Sequence, residues 1–336
     1  MAKRTEFKFP SNFKNTPLRA VIFQPEPGQT VKGLVQIIHG YAEHIDRYAD
    51  FMTFLADRGY LVFGHDHLGH GKSVSRPEDL SDMGGYGVMD DVLGDVVSLS
   101  KLVKAALAGT ETANADVVAS LQAELADAQL SADLSALPFT MLGHSMGSLI
   151  LRGVLAKYPD ACDRAIVMGT GSMPPALLKA FKAILVTVGA FHDGSYRSNF
   201  VNKMAIGQNN NAFKPVRTEN DWLSVNSENV DRYNADPLSG NAGSLHTFRF
   251  LLDIMTLIRQ PQALAQMRKD LPVLFVSGAE DAFGGFGKGV KEVYEMFQKA
   301  GMQDIKIKLY PNMRHEILNE TDARQVYQDI LAFIES

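Results

Sequence analysis

Short apolar runs alternate along the chain with longer segments in which apolar residues recur at helical spacing. The short runs predict strands, and the longer segments predict helices. The predicted strands are residues 5–9, 18–24, 33–39, 60–65, 138–142, 164–169, 271–277 and 305–310. The predicted helices are residues 45–58, 87–107, 145–158, 246–260, 287–300 and 319–334. Beyond an N-terminal hairpin, this alternation predicts an α/β fold whose mostly parallel sheet is covered by helices on both faces.

Two stretches interrupt the alternation. Residues 106–136 are rich in Ala, Asp and Leu and predict an extra helix pair at the edge of the fold. The second interruption follows a strand, at the point where an inserted cap would lie over the carboxyl ends of the strands. We therefore predict an α/β core formed by residues 1–170 and 246–336, and a mostly helical cap formed by residues 171–245.

One predicted strand, residues 138–142, runs directly into the pentapeptide GHSMG. This is the G-x-S-x-G pattern of a nucleophile elbow, a tight strand-to-helix turn that exposes a serine hydroxyl above a sheet. Such a turn leaves no room for side chains two positions before and after the serine, and Gly143 and Gly147 meet that requirement. The pattern predicts Ser145 as a nucleophile. The alternative is a plain turn in which Ser145 only caps the helix.

A serine nucleophile needs a histidine base and an acid that orients the base, in the chain order Ser, acid, His for this elbow. Of the histidines downstream of the elbow, only His315 follows a strand-like run and a turn. Two carboxylates, Glu280 and Asp281, follow the predicted strand 271–277. We expect Asp281 to be the acid, with Glu280 as the alternative. Each residue alone could be an ordinary loop residue, but their order, each after its own strand, favours a triad.

Ester or amide hydrolysis places negative charge on an oxygen, which backbone amides stabilise in an oxyanion hole. One amide should belong to Met146, the residue after the nucleophile. The other should come from the loop after an earlier strand, and residues 33–39 lead into Gly40 and Tyr41. Gly40 would let the backbone pass close to a substrate. We expect the amides of Tyr41 and Met146 to form the oxyanion hole.

These motifs together resemble those of a known enzyme group. Residues 39–48, HGYAEHIDRY, are similar to the HG-x-x-EH-x-x-RY segment of the monoacylglycerol lipase and lysophospholipase group of α/β-hydrolases. Residues 66–73 resemble its D-x-x-GHG-x-S segment, and residues 143–148 match its GHSMG elbow. Its acid loop and histidine loop are matched by residues 278–281 and 313–316. The resemblance covers most of the chain outside residues 106–136 and much of the predicted cap.

The resemblance implies an α/β-hydrolase that cleaves carboxylic esters with a fatty acyl chain and needs no cofactor. Its implied site is a nucleophile, an acid, a base and two oxyanion donors: Ser145, Asp281, His315, Tyr41 and Met146. The substrate's head group is not implied, because members of the group differ most in the cap. Within the predicted cap, an amphipathic helix near residues 176–186 could line an acyl tunnel or make transient contact with a lipid surface. It could equally pack on the rest of the cap.

Composition excludes several other classes of protein. The 336 residues are 46% hydrophobic and 21% charged, which suits one α/β domain with an inserted cap. The net charge of −5, without a block of Lys or Arg, argues against a nucleic-acid partner. Cys162 is the only cysteine and cannot form an internal disulfide. The N-terminal residues lack the apolar core of a signal peptide, and no apolar run is long enough to span a membrane. We expect a cytoplasmic protein.

The string His65-Asp66-His67, with His70 nearby, has the residue types of a metal site. The lipase-like group carries the same string, however, and we predict no metal. The same segment nearly spells a phosphate loop, but Asp66 occupies the place of its first glycine and would repel phosphate.

Two further functions stay open. An aminopeptidase on the same fold would need an acidic cluster in the cap to bind a free amino terminus, and four carboxylates could form one: Glu219, Asp221, Glu228 and Asp231. A non-catalytic ligand receptor built on this fold would be expected to lack a member of the triad, and none is missing.

Overall fold

The structure is a computed structural model that describes residues 2–110, 112–126, 128–131 and 133–336. Within these residues, eight strands form one sheet. The strands are β1 (Lys3–Pro10), β2 (Pro17–Gln24), β3 (Gly33–Ile38), β4 (Tyr60–His65), β5 (Phe139–His144), β6 (Arg164–Met168), β7 (Val273–Gly278) and β8 (Ile305–Tyr310). Their order across the sheet is β1-β2-β4-β3-β5-β6-β7-β8.

The sheet is mostly parallel. β2 pairs antiparallel with both β1 and β4, and every other neighbouring pair is parallel. Parallel pairing brings the carboxyl ends of neighbouring strands to one edge. Ile38 at the end of β3 is in register with Gly143 near the end of β5, and His144 is in register with Met168 at the end of β6. The predicted α/β-hydrolase fold is confirmed.

Helices cover both faces of the sheet. They are α1 (Ala49–Ala56), α2 (Met89–Ala108), α3 (Ala115–Glu124), α4 (Met146–Lys157), α5 (Pro175–Gly189), α6 (Asn199–Asn202), α7 (Ser227–Ala235), α8 (Leu245–Leu257), α9 (Pro261–Gln266), α10 (Lys288–Lys299) and α11 (Ala323–Ile334). Shorter 3₁₀ turns span Ile45–Tyr48, Gly71–Ser73, Pro77–Asp79, Leu134–Ala136, Asn209–Phe213 and Asp221–Leu223, and a π-helical turn spans Lys203–Gly207.

Each face of the sheet has its own hydrophobic core. Side chains of α2, α4, α8 and α10 pack on one face, and side chains of α1 and α11 pack on the other. Successive strand residues point to opposite faces. Met141 and Leu142 of β5 accordingly belong to different cores, and both are fully buried. Because both faces are covered, the central strands are apolar nearly throughout, which is why they were recognisable as short apolar runs.

The predicted helix pair in residues 106–136 is wrong for the part of the chain that the structure describes. One helix, α3, buries Val118 and Leu121, and Leu125 follows it. The next apolar residue, Leu130, lies in a two-residue strand, Gln129–Leu130, that pairs in parallel with Thr30–Val31. Val118, Leu121 and Leu125 form one apolar helical face, and the described residues after Leu125, up to residue 136, form a short strand and a 3₁₀ turn but no second α-helix. Glu111, Asp127 and Ala132 of the predicted pair lie outside the described residues.

Between β6 and α8, residues 171–245 form α5, α6, α7 and short turns, and no strand of the sheet. α5 packs against α8, with Leu178 and Leu185 buried on one side of the helix. The division of the chain into core and cap at residues 171 and 245 stays a prediction. Among the described residues, every helix is too short or too polar to cross a lipid bilayer.

Candidate active site

The turn between β5 and α4 holds Ser145 in a strained backbone conformation, with φ 56° and ψ −120°. Non-glycine residues rarely adopt positive φ, and such strain is concentrated at functional sites. Both flanking positions must be glycine, because backbone oxygen atoms lie where a side chain would begin. A Cβ on Gly143 would lie 2.3 Å from the Gly147 carbonyl oxygen, and a Cβ on Gly147 would lie 2.0 Å from the Ile38 carbonyl oxygen. The strand, the helix and β3 therefore meet at a turn that admits no side chain at either position.

A buried carboxylate and a buried imidazole follow the next two strands. Asp281 comes after β7 and His315 after β8, and Asp281 Oδ2 lies 3.0 Å from His315 Nδ1. Asp281 also accepts hydrogen bonds from the Ser277 hydroxyl and the Phe283 amide, at 3.1 and 2.9 Å. Burial alone would raise the pKa of Asp281, but the neighbouring His315, the Gly284 amide and the Ser277 hydroxyl bring it below its usual value. Glu280 precedes it in the chain and makes no ion pair with His315.

Aromatic rings enclose the imidazole of His315. The rings of His144, Trp222 and Phe283 have their centroids 4.7, 4.8 and 5.3 Å from it. His315 is 2% exposed, and within the described part of the chain neither of its ring nitrogens meets a partner in hydrogen-bonding geometry, although Nδ1 lies 3.0 Å from Asp281 Oδ2. His315 and Ser145 border the same cavity.

The loop after β3 passes close to Ser145. A Cβ on Gly40 would lie only 3.1 Å from Ser145 Cβ. Met146 is the first residue of α4, so its amide has no partner inside the helix. Among hydrogen bonds between described residues, neither the Met146 amide nor the Tyr41 amide is a donor. The two amides that the sequence predicted as oxyanion donors are thus both unpaired and border one cavity with Ser145 and His315.

This cavity has a volume of about 960 Å³. One side is apolar and includes residues of α5 and α8: Leu177, Ala180, Phe181, Ile184, Phe248, Leu251 and Met255. The lining also includes polar side chains, among them the amides of Asn199, Asn202, Asn209, Asn220 and Asn241. A cleft of this size that joins an apolar side with polar side chains is typical of a site for a small organic ligand.

A buried ionic network behind the site was not predicted. Glu43 Oε2 accepts from Arg47 Nε at 3.1 Å, and Arg47 also binds Glu316 Oε2 at 2.5 Å. Asn229 of α7 donates to the same Glu316 carboxylate at 2.6 Å. Glu316 directly follows His315, so this network joins the loop after β3, the histidine loop and α7. The sequence motif HGYAEHIDRY contained Glu43 and Arg47, but nothing in it showed which residues they would contact.

The histidine-rich string lies inside the protein. His65, His67 and His70 are buried, and no group of three or more His, Cys, Asp or Glu residues in the described ranges has the geometry to hold a metal ion. Burial lowers the pKa of His65 to about 3, so its ring is neutral. Asp66 instead pairs with the buried Arg19 at 3.2 Å and accepts the Ile45 amide at 2.9 Å. The string therefore supports the loops from inside the protein.

The acidic residues of the predicted cap do not gather at the cavity. Of the four, Glu219 borders it. Asp221 accepts hydrogen bonds from Thr218, and Asp231 forms an exposed ion pair with Arg217. Glu228 is exposed on α7. The cluster that a free amino terminus would need is thus not assembled in this structure.

The fold is that of an α/β-hydrolase, and the sequence comparisons agree. A family model described as serine aminopeptidase, S33, matches residues 29–322, and the chain belongs to this family. It is 27% identical to the monoglyceride lipase of Mus musculus over 297 residues, 88% of this chain and 79% of that protein. It is also 27% identical to the monoacylglycerol lipase of Mycolicibacterium smegmatis over 318 residues, 92% of this chain and 90% of that protein.

A solved structure agrees along the whole chain. The thermostable carboxyl esterase of Bacillus coagulans, in complex with glycerol, superposes with a TM-score of 0.81 at 26% identity, covering 100% of this chain and 99% of that one. The predicted resemblance to α/β-hydrolases of the monoacylglycerol lipase type is confirmed.

Proposed function

We propose that this protein is a serine hydrolase that cleaves carboxylic esters of fatty acids, of the monoacylglycerol or lysophospholipid type, through an acyl-enzyme intermediate. The named relatives support a carboxylic ester hydrolase. The observation that carries the mechanism is the buried Asp281–His315 pair, 3.0 Å apart, whose imidazole borders one cavity with the strained Ser145.

In the proposed reaction, His315 Nε2 takes the proton of the Ser145 hydroxyl as the serine oxygen attacks the ester carbonyl. Asp281 stays ionised and accepts a hydrogen bond from the N–H at Nδ1 of His315, which leaves Nε2 as the basic nitrogen and stabilises the imidazolium that forms. The amides of Met146 and Tyr41 bind the oxyanion. The C–O bond to the alcohol then breaks, and the alcohol leaves with the proton from His315. Water, deprotonated by His315, attacks the acyl-serine ester. The acyl–oxygen bond then breaks, His315 returns the proton to Ser145, and the fatty acid is released.

The apolar side of the cavity supports an acyl chain as the group transferred to the serine. Leu177, Phe181 and Ile184 of α5 border this side of the cavity together with Leu251 and Met255 of α8. Each methylene moved from water into such a lining stabilises the complex by about 0.8 kcal/mol. The depth of this side should therefore set the preferred chain length.

We also propose that the predicted cap makes transient contact with lipid surfaces. Leu177 is 58% exposed, Phe191 is 81% exposed and Phe200 is 64% exposed. Lys179 and Lys182 lie among the apolar residues of α5 and are exposed as well. Exposed apolar side chains beside lysines favour the interface of an anionic membrane.

The single buried thiol, Cys162, supports the cytoplasm as the proposed location.

An aminopeptidase is the second candidate, because the family model carries that description. It has weaker support, since only Glu219 among the four acidic residues of the predicted cap borders the cavity. One panel of substrates separates the candidates: p-nitrophenyl esters, monoacylglycerols, lysophospholipids and aminoacyl amides.

The test of the nucleophile uses a fluorophosphonate probe, which reacts covalently with activated serines. We expect the probe to label the wild-type protein and not the Ser145→Ala variant. We also expect the variant to lose ester hydrolysis by a factor of about 10⁶, because a triad acts as a unit. An unlabelled wild type that hydrolyses no ester would favour a non-catalytic receptor. Hydrolysis of aminoacyl amides in preference to esters would favour the peptidase.

A further inference from the structure

Gly40, the glycine nearest to Ser145 in the loop after β3, is held by hydrogen bonds on both of its backbone polar groups. His39 binds its carbonyl oxygen and Glu43 binds its amide. We propose that His39 and Glu43 are positioning residues, which clamp Gly40 so that the amide of Tyr41 is aimed at the reacting oxygen. This inference rests on the proposed function, because it gives Tyr41 the role of an oxyanion donor.

The tautomer of His39 follows from its two neighbours. The backbone amide of His67 donates to His39 Nε2 at 3.0 Å, so that nitrogen is an acceptor and carries no proton. Burial holds the pKa of His39 well below its usual range, so the ring is neutral and has one N–H. The proton must then be on Nδ1, which lies 2.8 Å from the Gly40 carbonyl oxygen and donates to it.

The bond from His39 fixes the direction of the next amide. In a trans peptide unit, the C=O and the N–H point to opposite sides. The Gly40 carbonyl and the Tyr41 amide belong to one such unit. Because His39 holds the carbonyl, the Tyr41 N–H must point away from His39. Tyr41 borders the cavity with Ser145, and no described residue accepts a hydrogen bond from its amide.

Glu43 holds the peptide unit on the other side of Gly40. Its Oε1 accepts the Gly40 amide at 2.5 Å and the Tyr48 hydroxyl at 2.7 Å. A Cβ on Gly40 would lie 2.5 Å from this same oxygen, so the clamp can close only on a glycine. With both flanking peptide units held, Gly40 loses the rotational freedom that a glycine otherwise has.

The charge of Glu43 does not oppose the charge of the oxyanion. A lone carboxylate beside an oxyanion hole would raise the energy of the transition state. Here the Arg47 guanidinium binds Glu43 Oε2 at 3.1 Å, and the imidazole of His144 lies 3.5 Å from Oε1. Because Arg47 also binds Glu316, the compensation is completed by protonated His144, whose pKa Glu43 raises. The Glu43 carboxylate can then serve as a fixed acceptor for the Gly40 amide.

The first test compares two replacements of His39 in the full chain, with a p-nitrophenyl ester as substrate. In His39→Asn, the side-chain amide nitrogen takes the place of Nδ1 and can still donate to the Gly40 carbonyl. In His39→Gln, the amide group lies near the position of Nε2, and the Gly40 carbonyl loses its donor. We expect His39→Gln to lower kcat about 100-fold and His39→Asn to lower it less than about tenfold. KM should change little in both, because an oxyanion donor acts in the transition state.

The second test uses Glu43 and a transition-state analogue. Glu43→Gln keeps an acceptor for the Gly40 amide and Glu43→Ala removes it, so we expect kcat to fall more in Glu43→Ala. A trifluoromethyl ketone adds to the nucleophilic serine and places an oxyanion in the hole. Across the four variants, its Ki should rise by the same factor by which kcat/KM falls. Asp95→Asn, which changes a buried carboxylate that binds Ser11 and Asn12 away from the clamp, should leave kcat and Ki unchanged.

The outcomes separate this inference from the proposed function. If the wild type is labelled and active but His39→Gln keeps its kcat, or if KM rises in place of the fall in kcat, the clamp is refuted. If His39→Gln does not fold, judged by its thermal unfolding, the Glu43 pair decides: equal kcat in Glu43→Gln and Glu43→Ala refutes the clamp. A wild type that neither reacts with the probe nor hydrolyses esters refutes the proposed function itself.

Discussion

The Nε2 atom of His144, the residue before the elbow serine, lies 3.1 Å from the carbonyl oxygen of His315. The Nδ1 atom on the other side of the ring lies 2.7 Å from the Tyr48 hydroxyl and 3.5 Å from Glu43 Oε1. Burial alone would lower the pKa of His144, but Glu43 raises it above its usual value. A protonated His144 can donate from both nitrogens. The backbone of the histidine loop is therefore anchored to the residue beside the nucleophile.

This anchor predicts a pH-dependent stability. The folded-state pKa of His144 is above the usual 6.5, so its contribution to stability is complete below pH 6.5 and is lost as the pH rises through the folded-state pKa. The pKa of Glu43 is lowered, so its own contribution is lost only as the pH falls below 4.5. We expect the difference in the free energy of unfolding between wild type and His144→Gln to shrink from pH 6 to pH 9. Urea denaturation measures it, and a difference that grows with pH would contradict the raised pKa.

The assignment of the acid predicts unequal effects of two neighbouring substitutions. Asp281→Asn removes the partner that orients His315 and should lower kcat about 10⁴-fold, the size of effect known for a triad aspartate. Glu280→Gln should change kcat less than about threefold, because the carboxylate that pairs with His315 belongs to Asp281. Steady-state kinetics with a p-nitrophenyl ester measures both. The reverse order of effects would transfer the role to Glu280.

The elbow predicts that a single methyl group is strongly destabilising at Gly147. Its Cβ would lie 2.0 Å from a backbone oxygen of β3, which cannot move without disturbing the sheet. We expect Gly147→Ala to lower the free energy of unfolding by more than about 3 kcal/mol or to prevent folding. Gly189→Ala is the control, because the nearest atom to its Cβ is the Tyr86 hydroxyl at 3.9 Å. That change should be neutral or slightly stabilising, and equal effects of the two would contradict the steric argument.

The apolar side of the cavity predicts a chain-length preference that α5 controls. For wild type, kcat/KM should rise about fourfold per methylene until the acyl chain reaches the end of the lining. Ile184→Trp should move the optimum to shorter chains, because Ile184 borders the cavity. Ala183→Trp, on the exposed side of the same helix, should leave the optimum in place. A series of p-nitrophenyl esters measures the optimum, and an unchanged optimum in Ile184→Trp would exclude this side as the acyl site.

The exposed aromatic residues of the predicted cap predict binding to lipid vesicles. Replacing Phe191 and Phe200 together by Ser should weaken sedimentation with anionic phospholipid vesicles, because two apolar side chains no longer enter the interface. Tyr158→Ser, a change at an exposed aromatic residue that follows α4, should not alter vesicle binding. Hydrolysis of a soluble p-nitrophenyl ester should be the same in all of them. Equal vesicle binding by wild type and the double variant would contradict lipid contact through these residues.

The sequence by itself determined the strands and helices of the core. The spacing of apolar residues follows from the geometry of a single strand or helix and does not depend on which elements pack beside it. It failed for residues 106–136, where Leu130 pairs with Thr30–Val31 from far along the chain. The elbow was also readable locally, since the steric limits that demand Gly143 and Gly147 arise within one turn. The order of Ser145, Asp281 and His315 along the chain could be read as well.

Only the tertiary structure decided which residues meet. Spacing left Glu280 and Asp281 as alternatives, and the path of the loop after β7 directs Asp281 to His315. Glu43 and His144 lie in segments far apart in sequence, and they meet because β3 and β5 are neighbours in the sheet. The contacts around Gly40 have the same origin, since the loops that supply Ser145 and His67 follow the two strands on either side of β3. The order of strands is a property of the whole fold, and no local pattern encodes it.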